Sequence, residues 1–155
     1  MKFKVIKALP GDHQELTDIS HRSKRYWNYP EEYMLLWRED LTVMPDYIAA
    51  HKVFKLIIKN KVIGFCSLEE KTDRIEIGHF WIIPEYIRKG IGSAFLKYLI
   101  KKEIPIKVKV SVVADVKAEG FYQKHGFVKI NEIPGKIKDR RLPYMVNYNL
   151  GEESD

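Results

Sequence analysis

The 155-residue chain has one cysteine, Cys66. No internal disulfide can form, and a metal-thiolate cluster is not expected. The five histidines show no metal-ligand spacing, so no metal is expected. No apolar run is long enough to span a bilayer; the longest, such as Val62 to Leu68, have the length of strands. There is no Gly-x-x-x-x-Gly-Lys-Ser/Thr run, no Gly-x-Ser-x-Gly elbow and no His-Glu-x-x-His, which removes the P-loop, the serine-elbow hydrolases and the zincins. Internal repeats and low-complexity linkers are missing too. The start, Met-Lys-Phe-Lys-Val, alternates charged and apolar residues instead of building a signal-peptide stretch, and the cytoplasm is the expected location.

What is present is the composition of a soluble globular protein, 45% apolar and 31% charged. One domain is expected over residues 1–150, followed by a frayed acidic tail, 151–155. The net charge is +6. Such a balance suits nucleic acid, an anionic surface or a phosphorylated small molecule, and equally a surface merely rich in lysine. The lysines are spread out, with only the short stretch Lys136 to Arg141 approaching a cluster. No nucleic-acid reader motif occurs, and aromatics are not interleaved with a basic stripe. Nucleic-acid binding is therefore the outlying alternative, and no membrane partner is expected.

Periodicity gives the elements. Lys2 to Lys7 alternates as a half-buried strand. Pro10-Gly11 turns the chain, and Asp12 with Glu15 reads as a capping box for a helix to about Arg25. Pro30 suits the first position of a second helix, with Tyr33, Leu36, Trp37 and Leu41 on one face. Val53–Ile58 and Val62–Leu68 form a hairpin about Lys59-Asn60-Lys61. Arg74–Ile83 is a third strand that Pro84 ends. A helix opens at Gly90 with Ile91, Ala94, Phe95, Tyr98 and Leu99 along one face. Ile106–Val113 is a strand, Val116–Lys124 a helix closed by Gly126, and Phe127–Ile133 and Tyr144–Leu150 are two last strands. The expected fold class is α/β (α+β): a mixed sheet of about six to seven strands flanked by about four helices.

The segment from Tyr86 to Ser93 lies between a strand and a helix. Gly90 and Gly92 allow close backbone approach to a ligand. The free N–H groups of the helix start and the helix dipole favour an anion, and Arg88 and Lys89 add positive charge. A phosphate or pyrophosphate site follows, although a tight ligand-free turn would use the same glycines. Phe95 stands where the dinucleotide fingerprint needs a small residue, so that motif is excluded.

Three blocks resemble the GCN5-related N-acetyltransferase (GNAT) family. They are Glu76-Ile77-Gly78-His79-Phe80-Trp81-Ile82-Ile83-Pro84, Ile87-Arg88-Lys89-Gly90-Ile91-Gly92, and Ala118-Glu119-Gly120-Phe121-Tyr122-Gln123-Lys124-His125-Gly126-Phe127. They are similar to the family's fourth strand, its pyrophosphate loop and its late Ala-x-x-Phe-Tyr block, in that order. The resemblance implies a GNAT-like fold and an N-acetyltransferase with acetyl-CoA as donor. It implies that the backbone amides of Arg88, Lys89, Gly90, Ile91, Gly92 and Ser93 hold the pyrophosphate. Trp81, Ile82 and Ile83 would pair with the pantetheine arm, and an N–H near Ile82 would meet the oxyanion. Tyr122 would lie near the thioester sulfur and protonate the leaving thiolate. Two positions depart from the family pattern. Ile87 replaces the opening Arg or Gln, and Asp115 stands where Asn is frequent and can accept but not donate a pantetheine hydrogen bond. These departures motivate an alternative, a CoA-binding sensor that has lost turnover.

An attacking amine must lose a proton. Glu76 is the first candidate base, by its place on the fourth strand, and His79 the second, by its intrinsic pKa. Each reads equally as structural: Glu76 paired with a lysine, His79 hydrogen-bonded. Strand alternation separates them unless a bulge intervenes. Cys66 reads as a core thiol. The family's acceptor site is usually lined by the first two helices, where this chain carries Tyr26, Trp27, Tyr29 and Tyr33. These could cage a cationic amine or pack as an apolar patch. The acceptor, a small-molecule or peptide amine, is not specified, and the resemblance leaves a homodimer open.

Overall fold

The computed structural model describes residues 2–151; the rest of the expected acidic tail lies outside the described residues. Seven strands are hydrogen-bonded in the order β1-β2-β3-β4-β5-β7-β6. They are β1 (Lys4–Lys7), β2 (Lys52–Ile58), β3 (Lys61–Glu70), β4 (Arg74–Ile82), β5 (Lys109–Val113), β6 (Val128–Pro134) and β7 (Arg141–Asn147). The helices are α1 (His13–Arg25), α2 (Glu31–Leu36), α3 (Arg38–Leu41), α4 (Pro45–Ala50), α5 (Ile91–Glu103) and α6 (Glu119–Lys124). The mixed α/β class is as expected. The chain gathers into two compact units, residues 2–68 with 79–92, and 69–78 with 93–151.

In the first unit β1, β2 and β3 are antiparallel neighbours. The β2–β3 connection is the two residues Lys59 and Asn60, both at positive φ (51° and 63°), as a type I′ turn requires. Residues Ile63 to Leu68 of β3 are buried without a break, the pattern of a strand covered on both faces. Helix α1 covers this core with Leu16 and Ile19. Its apolar face is thin because Ser20 and Ser23 share it, and both are buried. Burial of a hydroxyl is tolerated where it is hydrogen-bonded. Ser20 Oγ shares its one proton between the carbonyls of Leu41 and Thr17, and Ser23 Oγ shares its proton between Ile19 O at 2.7 Å and Ile82 O.

Three local expectations need correction. Asp12 does not cap α1 with its side chain. Its carboxylate turns back to accept from the Leu9 N–H at 2.8 Å and pairs with Lys55 Nζ at 3.1 Å. The proline-led 3-10 turn over Pro10–Asp12 directs it there. The single helix expected after Pro30 is two, broken at Trp37 (φ −89°, ψ 0°), and Leu36 is exposed while Met34, Trp37 and Leu41 are buried. A further helix, α4, was not read at all. Its signal is Pro45 at the first helical position with Asp46 beside it. Among the described residues there are therefore six α-helices instead of about four.

In the second unit the start of β4 pairs in parallel with β5, Arg74 opposite Lys109 through Ile77 opposite Val112. β5 and β6 both lie antiparallel to β7. Val110, Val112, Tyr122, Phe127, Met145 and Val146 are buried here. β5 begins at Lys109 rather than Ile106, because Lys107 has φ +74° and Ile106 is exposed. Gly126, at φ +85°, ends α6 as expected.

Candidate active site

The end of β4 is built by close backbone approach. A Cβ on Gly64 would lie 2.4 Å from Trp81 O and 2.9 Å from Ile82 Cδ1, so only glycine lets β3 come this near. The Ile83 N–H donates to Ile63 O at 2.9 Å and is spent. Along a strand successive N–H groups point to opposite edges. The N–H of Ile82 therefore emerges on the other edge, beside its own carbonyl, which accepts from Ser23 Oγ at 3.0 Å. The register of β4 with β5 covers only Arg74 to Ile77. The strand's last residues, among them Trp81 and Ile82, lie beyond that register.

Past Ile83 the chain makes a 3-10 turn over Pro84–Tyr86. Arg88 then has φ +65° and Gly90 φ +79°. A non-glycine residue in the left-handed region is uncommon. Alternating hands of backbone turn successive amides into a concave anion-binding nest. A Cβ on Gly90 would meet nothing within 4 Å, so that side of the turn is open. Lys89 Nζ lies 5.6 Å from the Tyr86 ring, and Glu85 makes a two-pronged pair with Arg22 at 2.8 and 2.9 Å. Ile91 and Gly92 open α5.

The base candidates have different partners. Glu76 Oε1 accepts from Ser111 Oγ at 3.2 Å and lies 3.6 Å from Arg74 Nη2. Arg74 Nε also donates to Ser111 Oγ, at 3.1 Å. His79 Nδ1 accepts from Trp81 Nε1 at 3.0 Å. An indole N–H can only donate, so His79 is neutral in this arrangement with its proton on Nε2. Tyr47 meets the His79 ring edge-on at 5.7 Å and bonds Ser67 Oγ at 2.8 Å. Sequence reading missed Tyr47 and Ser67, because their meeting depends on the unread helix α4.

Tyr122 is 5% exposed, with Phe121 and Phe127 T-shaped against its ring, both at 5.2 Å. Asp115 accepts from the Lys117 N–H at 2.8 Å and pairs with Arg140 Nη2 at 3.2 Å. Ser93 Oγ lies 2.9 Å from His125 Nε2, a pairing that sequence reading also missed. Cys66 is buried, and burial pushes its thiol pKa well up, as suits a core residue.

The four aromatic acceptor candidates separate into two groups. Tyr26 stacks on Trp27 at 5.0 Å. Tyr29 and Tyr33 instead gather on Trp37, at 4.9 and 5.7 Å. The cation held by Tyr29 and Trp37 is the chain's own Lys24, with Nζ 5.1 and 4.1 Å from the two ring centroids. Among the described residues no cluster of His, Cys, Asp or Glu could hold a metal, and no helix is long and apolar enough to cross a membrane.

Two histidines set a pH dependence of stability. Burial, and then Arg25, holds His21 below the ordinary 6.5, and burial, Lys97 and Lys124 do the same for His125. The unfolded chain therefore binds more protons as pH falls past 6.5. Stability is full above that value and declines through the lowered folded pKa values. The melting temperature should fall on acidification from neutral pH and should fall less in a His21→Asn/His125→Asn double variant. Equal declines would show that other groups control this window.

A family profile described as an acetyltransferase (GNAT) domain matches residues 47–129. The chain is 31% identical over 129 residues to the uncharacterized N-acetyltransferase YafP of Escherichia coli K12, covering 79% of each chain. Among solved structures it is similar to the PaiA N-acetyltransferase of Thermoplasma acidophilum in complex with coenzyme A. That match has a TM-score of 0.74 and 21% identity, and covers 96% of this chain and 99% of the other. It is also similar to YncA of Salmonella typhimurium, a putative acetyltransferase with its cofactor acetyl-CoA. There the TM-score is 0.65 and the identity 17%, with 100% and 98% covered.

Proposed function

We propose that the chain, which belongs to the GNAT acetyltransferase family, takes the acetyl group of acetyl-CoA, the cofactor named for one structural neighbour, and moves it to a primary amine by direct attack in a ternary complex. The observation that carries this reading is the turn after β4. Positive φ at Arg88 and Gly90, with open space outside Gly90, is the form a backbone takes to cradle a pyrophosphate. Arg88, Lys89, Gly90, Ile91, Gly92 and Ser93 fit that role.

The donor supplies an activated thioester. Trp81, Ile82 and Ile83 offer it a strand edge, and the Ile82 N–H donates to the developing oxyanion. Tyr122 gives its phenolic proton to the departing thiolate. Glu76 is the better base of the two. A carboxylate keeps lone pairs beyond those that Ser111 and Arg74 use, whereas the one accepting nitrogen of His79 is taken by Trp81. His79 then serves as a donor through Nε2. Asp115 is engaged by Arg140 and the Lys117 N–H, so its place in the Asn position is filled by a structural pair. We assign Tyr26 and Trp27 to the acceptor side, and leave the Tyr29–Trp37 face to Lys24.

The first test is a thermal-shift titration. Acetyl-CoA at about a hundred times its Kd should stabilise the fold by about 2.7 kcal/mol, a rise of about 5–10 °C for a chain of this size, and ATP should not. An amine panel with thiol-release detection follows. Stabilisation by CoA without turnover on any amine would replace the enzyme with a CoA-binding sensor.

A further inference from the structure

The acetyl-transfer reading makes no use of the contact between Ser93 and His125. Ser93 is the third residue of α5 and is partly exposed. Its Oγ lies 2.9 Å from His125 Nε2. The main chain of His125 is held at both its polar groups. The His125 carbonyl accepts from Asn147 Nδ2 at 3.0 Å, and its N–H donates to Tyr122 O at 3.0 Å. The Phe121 ring flanks it at 5.0 Å.

A hydroxyl has one proton. If Ser93 donates it to Nε2, the outward side of Oγ is a lone pair, which repels a phosphate oxygen. If Nε2 carries a proton and donates, the serine proton is released to point outward. We propose that His125 is a positioning residue for donor binding, holding the Ser93 hydroxyl so that its proton meets the donor's phosphates, with protonation of the imidazole locking that orientation. The proposal rests on the reading that the turn before α5 receives the donor's pyrophosphate.

The charged groups facing the imidazole are Lys97 of α5 and Lys124 of α6, and with burial they hold its pKa below the ordinary value. Near neutral pH the ring is therefore uncharged and both hydroxyl orientations are open to Ser93. A bound diphosphate favours the donating ring, and the cation above all, because both its nitrogens donate while the neutral ring divides its single proton between Nδ1 and Nε2. By linkage, affinity for the donor rises as pH falls through the His125 titration, and bound donor raises the His125 pKa.

The probe is 3′-dephospho-CoA, which keeps the diphosphate but has no phosphate monoester to titrate in this range. Its Kd is measured by calorimetry at about pH 8 and about pH 5.5, either side of the ordinary histidine pKa. The wild-type protein should bind about fivefold tighter at the lower pH, the worth of one net hydrogen bond. Ser93→Ala should lose that difference. His125→Gln, whose amide is a permanent donor, should bind at both pH values as tightly as the wild type does at the lower one. The imidazole C–H resonance of His125 should titrate at higher pH with the probe present, and not in Ser93→Ala. An equal pH ratio in the wild type and both variants, or no ratio in the wild type, would overturn the coupling. Failure of all three folded proteins to bind the probe would instead overturn the pyrophosphate reading beneath it.

Discussion

Tyr122→Phe is expected to lower kcat about a hundredfold, the usual worth of a positioned general acid, with little change in KM for acetyl-CoA. The substitution removes one oxygen and keeps the ring. That ring is 5% exposed and packed against Phe121 and Phe127, so stability should change by no more than about 1 kcal/mol. The separation matters, because a buried tyrosine is also a good packing residue. Thiol release under saturating donor and amine reads the chemistry, and the melting temperature reads the packing. An unchanged kcat with a lowered melting temperature would make Tyr122 a core residue only.

Gly64→Ala should produce the largest loss of stability of any single methyl addition considered. The added Cβ would sit 2.4 Å from a backbone oxygen, Trp81 O, which no rotamer can relieve. Overpacking of a core costs about 1–3 kcal/mol, and a clash with main chain belongs at the top of that range. At about 2–4 °C per kcal/mol, the melting temperature should drop by roughly 6–12 °C. The strand edge at Trp81 to Ile83 must shift with it, so affinity for acetyl-CoA should fall as well. Gly120→Ala is the control. It lies in α6, its added Cβ meets nothing within 4 Å, and alanine in a helix is favoured over glycine by about 0.5–1 kcal/mol. If Gly64→Ala matched Gly120→Ala, the approach of β3 to β4 would not need glycine.

The parts legible in sequence were those coded by neighbours in the chain. Alternation of apolar residues marked β1, β-rich runs marked the strands after it, and Lys59-Asn60-Lys61 marked the hairpin, because period and turn chemistry are local. The glycine turn at Tyr86 to Ser93 was legible for the same reason. The failures share one cause. The helix expected from Pro30 to Leu41 breaks at Trp37, whose ring is buried with Tyr29, Tyr33 and Lys24 around it. Asp12 abandons its expected cap for Leu9 and Lys55. In each, a partner far along the chain or a tight turn outcompeted a local preference worth about 1 kcal/mol.

By itself the sequence determined the α/β class, the family, the donor and the position of the glycine turn between β4 and α5, since motifs and periodicity are properties of a short stretch of chain. Only the tertiary structure decided which neighbours each candidate has. It gave Glu76 an arginine and a serine, His79 a donor on its accepting nitrogen, Asp115 an arginine, and Ser93 a histidine. Arg74 and Trp81 stand two residues from Glu76 and His79 on the same strand, but Ser111, Arg140 and His125 lie 35, 25 and 32 residues from their partners, and hydrogen bonds over such separations exist only once the strands and helices have packed.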